Sequence, residues 1–584
     1  MLQQLVAYAH REGLEVEPGF RSRAIRWAVA FDAEGQFLDV VELGDASLPK
    51  NPGRELPRCP DLSQAELVSG STTRCHFLAE TAEVVALLGK NGEEQKTREK
   101  HNHFVWLLKE AGGEVAALAA AGRGLAGAET VAAVRGRLER ARARPADKVT
   151  VQVGGELPLE GTAWHAWWRA YRGRLTDRKP AAGRVAGGDG RMRCLVTGRL
   201  VEPAATHPKI AGLQDVGGLT MGNTLVGFDK EAFGSYGLQQ SANAAMSAEA
   251  TAAYRAALEH LLRERGRRLA GAKITYWFDH AVPEADDPLP WLMDSPTVAE
   301  RDAHALARGL LDSIRAGARP DLAGNRYRAL ALSGAGGRVM VRDWMEGAFE
   351  ELAGAVAAWL DDLAIVARDG NGLAPPPKLF TVLAATVRDP KELTGPGVAR
   401  MWRVAVRQEP LPATVLAQAL ARTRMDVIED QPFNHARMAL LKAYHVRQRR
   451  LRGGSMPEVT VERFLNEQHP HPAYHAGRLM ALLAALQRAA LGHVGAGVVQ
   501  RYYAAASATP ALVLGRLTRT SQFHLNKLEG GLAYWYETRL AEVWSRIRDQ
   551  VPATLTLEEQ SLFALGYYQQ LADLQHKKKD DSHE

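Results

Sequence analysis

Residues 193–262 read RCLVTGRLVEPAATHPKIAGLQDVGGLTMGNTLVGFDKEAFGSYGLQQSANAAMSAEATAAYRAALEHLL, and the two halves differ in kind. The first half is loop-rich and dense in small residues: Gly212, Gly217, Gly218, Gly222, Gly227, Gly234 and Gly237. Glycine lets backbone approach a partner closely and tolerates positive φ. Between the glycines sit Lys209, Gln214, Thr220, Asn223, Thr224, Ser235, Gln239, Gln240 and Asn243. These are donors and acceptors of the kind that read nucleic-acid edges and phosphates. A plain polar surface loop is the simpler reading, since loops are generally rich in such residues. At Ser247 the pattern changes. Ala250, Ala253, Tyr254, Ala257, Leu258, Leu261 and Leu262 recur at 3–4 spacing, which predicts a helix opened by Ser247. Glu249 lies too close to Ser247 for a capping box but suits the positive end of the helix dipole.

The same alternation of short strands and helices extends upstream. Residues 2–12 predict a helix that Pro18 and Gly19 end. Arg26–Phe31 and Gln36–Glu42 predict a strand pair around the turn Asp32-Ala-Glu-Gly35. A hydrophilic run, Lys90–His103, leads into a helix expected over 104–121, and a second over 129–142 carries Arg135, Arg137, Arg140 and Arg142. That arginine strip reads as a solvated face before it reads as a phosphate-binding one. Val149–Val153 alternates like a strand. Trp164, Trp167, Trp168 and Tyr171 lie at helical spacing and are expected in the core, in preference to stacking on bases.

Downstream, Ala272–Phe278 predicts a strand, and Arg326–Trp344 a hairpin with Arg338 and Arg342 near its tip and exit. From Met345 the pattern is helical, punctuated by Ala374-Pro-Pro-Pro377 and the basic linker Arg447–Ser455. The fold class is therefore α+β and multidomain. A mixed region with short antiparallel strands is expected over 1–375, a helical connector over 376–455, and an all-α bundle over 456–584.

A chain of 584 residues with 46% hydrophobic and 24% charged residues has ordinary globular composition. A net charge of +6 and a pI near 9.1 permit a polyanionic partner without demanding one. Cys59, Cys75 and Cys194 are odd in number and form no C-x-x-C pair, so no disulfide framework or zinc knuckle is expected and a reducing cytoplasm fits. No apolar run approaches membrane-spanning length, and the N-terminus, broken by His10, Arg11 and Glu12, reads as a helix and not as a signal peptide.

Catalytic constellations are missing. There is no GxxxxGK[ST] loop, HExxH or G-x-S-x-G, and neither a cofactor nor a metal is expected. Asp279-His280 lacks further spaced ligands, and His469, His471 and His475 lie among prolines with no fourth ligand. Two readings remain open: a non-catalytic nucleic-acid-binding subunit, or a metal-dependent nuclease with an unrecognised site. Metal-dependent cleavage of DNA separates them.

Several stretches resemble the large-subunit family of the subtype I-C CRISPR surveillance complex, Cascade. They are Cys194-Leu-Val-Thr-Gly198, His207-Pro-Lys-Ile210, Phe228–Asn243, Tyr254-x-x-Ala-Leu258, and the hairpin residues Leu332, Ser333, Arg338, Val341, Arg342 and Trp344. Cys75–Gly89, Phe433–Tyr444, Tyr474–Gln487, His524–Lys527 and Gly566–Gln570 are similar too, so the likeness runs end to end. The chain departs from the family at Ala245, where proline is usual, and at Gly227 and Asp229 of a usual Ser-Phe-Asn.

The resemblance implies a cytoplasmic, non-catalytic subunit near the crRNA 5′ end, docked on the Cascade backbone and crRNA-end subunits. It implies recognition of the protospacer-adjacent motif in double-stranded DNA, promotion of R-loop formation, and recruitment of a helicase-nuclease in antiviral defence. Candidate motif readers are Lys209, Gln214, Thr220, Asn223, Gln239 and Asn243. Candidate phosphate contacts, including those to the displaced non-target strand, are Arg338, Arg342, Arg478, Arg488, Arg501, Arg516, Arg519 and Lys527. The family also implies a small helical subunit made by internal translation of the same gene. Met456, after Gly453-Gly454-Ser455, is the candidate start, because tandem glycine codons resemble a purine-rich ribosome-binding site; a linker methionine is the alternative.

Overall fold

The computed structural model describes residues 1–14, 17–45, 47, 51–67, 72–176, 190–234, 236–293, 300–451, 461–492, 494, 496–547 and 549–580. Met456 lies outside them. The protein is α+β, as its sequence pattern predicts. Contacts divide it into two units: residues 1–265 with 334–340, and residues 266–333 with 341–584.

In the first unit the expected strand pair forms. Trp27–Phe31 runs antiparallel to Phe37–Glu42, and the Asp32 carboxylate closes the turn by accepting the Gln36 N–H at 2.7 Å. Trp27–Phe31 also pairs in parallel with Lys148–Val153, which pairs with Glu80–Thr81. Val29, Phe31, Val149 and Val151 are fully buried. Trp164 and Trp168 are too, in a cluster with Phe20 and Phe77, and Tyr171 is buried in the same cluster, so core packing holds for these three rings, while Trp167 is half-exposed at its edge. The helix expected over 104–121 instead begins at Gln95 and stops at Ala111, and a separate helix spans Ala116–Gly124. The first three turns of Gln95–Ala111 bury Thr97, His101 and His103, so they carry little apolar signal, and Gly112-Gly113 ends it. On Ala128–Arg140, Arg137 donates to Asp39 at 2.8 Å and Arg135 lies 3.6 Å from Glu93. Helix Ala248–Glu264 starts where expected, with Ser247 Oγ accepting the Ala250 N–H at 3.1 Å. Its buried Arg255 donates to Asp61 at 2.7 Å and to the Phe20 carbonyl at 3.1 Å. Arg23 and Arg255 hold the buried Asp61 carboxyl well below its ordinary range against the opposing effect of burial.

In the second unit, strands Arg267–Leu269, Ala272–Phe278 and Arg326–Ala335 pair antiparallel in that order, and Arg326–Ala335 forms the expected hairpin with Arg338–Ala348. The helices from Phe349–Leu363 to Leu557–Asp580 share one hydrophobic core with these strands, continuous from Leu269 to Leu574. The boundaries expected at 375 and 455 therefore fall inside one core, because helices on both sides bury their apolar faces against each other. Asp279 is engaged by Arg328. Buried His475 sits with Nε2 2.6 Å from the His469 carbonyl. Among the described residues no group of three or more His, Cys, Asp or Glu is placed to hold a metal ion.

Candidate nucleic-acid interface

The glycine-rich stretch of the first unit contains two short strands hidden from the sequence pattern. Lys209–Ile210 pairs antiparallel with Asn223–Thr224, and Thr224 pairs in parallel with Arg338 of the hairpin tip. The Thr224 N–H donates to the Gly337 carbonyl at 2.8 Å. Residues opposite one another in a ladder project from the same face. Lys209, Thr224 and Arg338 therefore form one cross-strand row, spanning roughly 10 Å at ordinary strand spacing. Ile210 and Asn223 form the alternate row, and both are fully buried.

The glycines let this surface assemble. A side chain on Gly334 would overlap the Gly218 backbone, and a Cβ on Gly217 would lie 2.8 Å from the Gly334 carbonyl oxygen. The hairpin tip thus sits backbone-to-backbone on the 217–218 turn. Asn223 braces that turn from within: its Oδ1 accepts the Leu219 N–H at 2.9 Å and its Nδ2 donates to the Leu219 carbonyl at 3.5 Å. Arg338 is exposed. It donates to Asp229 at 3.1 Å and lies 5.4 Å from the Phe233 ring centroid. Met221 and Tyr236 are exposed on neighbouring loops, Tyr236 almost completely at 99%.

Behind the loops, His207 is buried between Tyr254 and Ala244. A carbonyl can only accept, so His207 Nε2 donates to the Ala244 oxygen at 3.1 Å and Nδ1 accepts the Tyr254 hydroxyl at 3.1 Å. Burial lowers the His207 pKa, which favours this neutral form.

The sequence candidates separate accordingly. Gln214, Thr220 and Gln239 are exposed and Lys209 is half-exposed. Asn223 is a correction: the strand places it inward, so it braces the loop and does not face a ligand. Asn243 is half-buried, its Nδ2 donating to the Leu238 and Gln240 carbonyls at 3.2 and 3.1 Å. Arg342, in the second unit, is half-buried and donates to Ser333 Oγ at 2.8 Å.

Of the C-terminal cations, Arg478 is the second correction. It is buried, donates to Gln570 at 2.9 Å and lies 3.7 Å from Glu467, because its turn of helix Pro472–Leu491 faces helix Leu557–Asp580. Arg488, Arg501, Arg516, Arg519 and Lys527 are exposed, and none makes an ion pair with a described residue. The sequence reading missed Asp229 and Phe233 as partners of Arg338. Phe233, in a Gly/Ser-rich loop outside any apolar period, was the available signal.

No curated protein matches the chain. The family described as CRISPR-associated protein (Cas_Csd1) matches it over residues 4–575. That span takes in both structural units, the glycine-rich loops and the hairpin, and the chain belongs to this CRISPR-associated family, the large subunits of type I-C Cascade.

Proposed function

We propose that this Cascade large subunit recognises the protospacer-adjacent motif in double-stranded DNA through the loop surface around Lys209, Thr220 and Arg338. In this reading it opens the duplex for pairing with crRNA, holds the displaced strand on its exposed C-terminal cations, and presents the R-loop to a helicase-nuclease without cutting DNA itself. The observation that supports it best is the cross-strand row. Two cations project from one face of the sheet edge, and Gln214 and Thr220 expose polar side chains on the loop that joins its two short strands. Such a surface offers charge to phosphates and hydrogen-bonding groups to base edges.

The test uses assembled Cascade and two duplexes, one bearing the motif and one with the motif scrambled. Lys209→Ala and Arg338→Ala are expected to weaken binding of the motif duplex about tenfold or more. Equal weakening on both duplexes assigns the cations to phosphates, and selective weakening on the motif duplex assigns them to bases. Unchanged binding by both variants overturns the assignment of this surface. DNA cleavage by the purified chain that disappears on chelation overturns the non-catalytic reading.

A further inference from the structure

On helix His165–Thr176 of the first unit, Trp168 faces the core with Trp164, which precedes the helix, and the adjoining face carries Trp167, Tyr171 and Arg174 at i, i+4 and i+7. This face runs from the buried Tyr171 out to the surface. Trp167 stacks on Tyr171 at 5.4 Å with 6° between the planes, and Tyr171 in turn meets Trp106 of helix Gln95–Ala111 at 6.1 Å. Trp106 leaves 44% of its surface in solvent, and Trp167 is half-exposed. Leaving that much indole in water forgoes apolar burial that the fold does not recover within these residues.

The rings are held in place. His103 stacks under Trp106 at 5.6 Å, and its Nε2 lies 3.3 Å from the Tyr171 hydroxyl. Arg174 lies 6.0 Å over the Tyr171 ring, is exposed, and has no carboxylate partner among the described residues. Lys109, one turn from Trp106, is also exposed. Rigid, part-exposed rings bordered by exposed cations match the chemistry of an unpaired nucleobase and its phosphate, where a flat π-face meets a ring and the charge meets a guanidinium.

We infer that Trp106 and Trp167, supported by Tyr171 and flanked by Arg174, form a stacking site for an unpaired base of single-stranded nucleic acid. This rests on the proposed nucleic-acid function but uses residues outside the duplex-reading surface. The shared ligand chemistry is a base with its 5′ or 3′ phosphate, and guide RNA and displaced DNA are its two sources.

The experiment uses the full-length chain and fluorescence anisotropy with fluorescein-labelled oligo(dT) and oligo(rU) of about 12 nucleotides, with a motif-bearing duplex alongside. Trp106→Ala is expected to weaken single-strand binding by about fivefold to a hundredfold, the range of one lost base–aromatic stack. Trp106→Phe should keep most of the affinity, since a ring remains. Arg174→Ala, at an exposed position, should weaken binding and flatten its salt dependence. Loss confined to oligo(rU) assigns the site to RNA, loss confined to oligo(dT) assigns it to DNA, and loss of both supports sequence-tolerant stacking. Single-strand affinity within twofold of wild type in both alanine variants, or no single-strand binding by wild type, overturns the inference. Failure of the duplex-reading proposal appears separately, in the duplex arm and in Arg338→Ala.

Discussion

Asn223 and Thr224 are neighbours with opposite fates, and the difference follows from strand alternation. Thr224 faces the surface row, while Asn223 points inward and satisfies the Leu219 backbone. Asn223→Ala removes a fully buried side chain and leaves the Leu219 N–H without its acceptor, at a cost of about 1–3 kcal/mol. A lower melting temperature and faster proteolysis within 213–224 are expected, and wild-type stability would contradict the bracing role. Asp229→Asn should act the other way. The exposed Asp229–Arg338 pair contributes about 0–1 kcal/mol to stability, so the fold tolerates its loss. The freed guanidinium should bind duplex DNA about two- to fivefold more tightly at low salt, an advantage that shrinks as salt rises. Anisotropy over a salt series measures it, and equal affinity at every salt would show that Arg338 does not meet phosphate. The polar residue types of this surface were legible in the sequence, but which of them face outward was not. Strands of two residues are too short for period two to show.

Among the elements, those with long periods were the legible ones. The helix after Ser247, the strand pair around Asp32 and the hairpin at 326–348 lie close to where apolar spacing and turn chemistry put them. Helix Gln95–Ala111 was half-missed because its first turns bury histidine and threonine in place of aliphatic residues. The glycines were visible as permissive backbone, but the identity of the element they admit depends on a hairpin more than a hundred residues away. That dependence is testable. Gly334→Ala puts a methyl group into the Gly218 backbone and should displace the hairpin tip. Motif-duplex binding is then expected to fall about tenfold, through loss of the row to which Arg338 belongs. Gly309→Ala is the matched control. It lies within helix Glu300–Arg315 with nothing within 4 Å of its Cβ position, and it should stabilise the protein by about 0.5–1 kcal/mol without altering binding. Unaltered binding in Gly334→Ala would show that the tip does not need its seat.

At the scale of the molecule, acid and fragmentation probe how each unit is held. Burial, as the first cause, lowers His76 and His103 in the first unit and His469 and His475 in the second from 6.5 to about 4. Between those pH values the unfolded chain binds the extra protons, so stability is complete above about pH 6.5 and falls as pH drops toward 4. Calorimetry should show the melting temperature declining from pH 7 to pH 5, and a flat profile would mean these rings protonate without unfolding. The second unit's core makes a sharper demand on the product that translation from Met456 would yield. Helices Pro472–Leu491 and Leu557–Asp580 interlock at Gly477 and Gly566, where side chains would overlap the Phe563 and Tyr474 carbonyls. Tyr474 donates to Gln569 at 2.5 Å, and Gln569 donates to the Glu462 carbonyl at 2.8 Å. These contacts lie within 456–584, so the separate polypeptide should fold as helices. Others do not. The Tyr568 hydroxyl donates to the Val366 carbonyl at 3.0 Å, Phe433 stacks on Tyr567 at 4.8 Å and meets Tyr503 at 5.6 Å, and Tyr444 donates to Glu558 at 3.0 Å. Every one of those partners precedes Met456, so the separate product bares a contiguous aromatic face that the full chain covers. Exposed apolar surface of that kind drives association. Scaling 63.7 kDa by length, a C-terminally tagged gene should yield a band of roughly 14 kDa plus the tag, which disappears when the Met456 codon is changed. Purified residues 456–584 should show helical circular dichroism and sediment above monomer mass, and Tyr567→Ser with Tyr568→Ser should return them toward the monomer. A wild-type fragment that is monomeric and helical would show that its helices repack to cover those tyrosines without any of the residues before Met456.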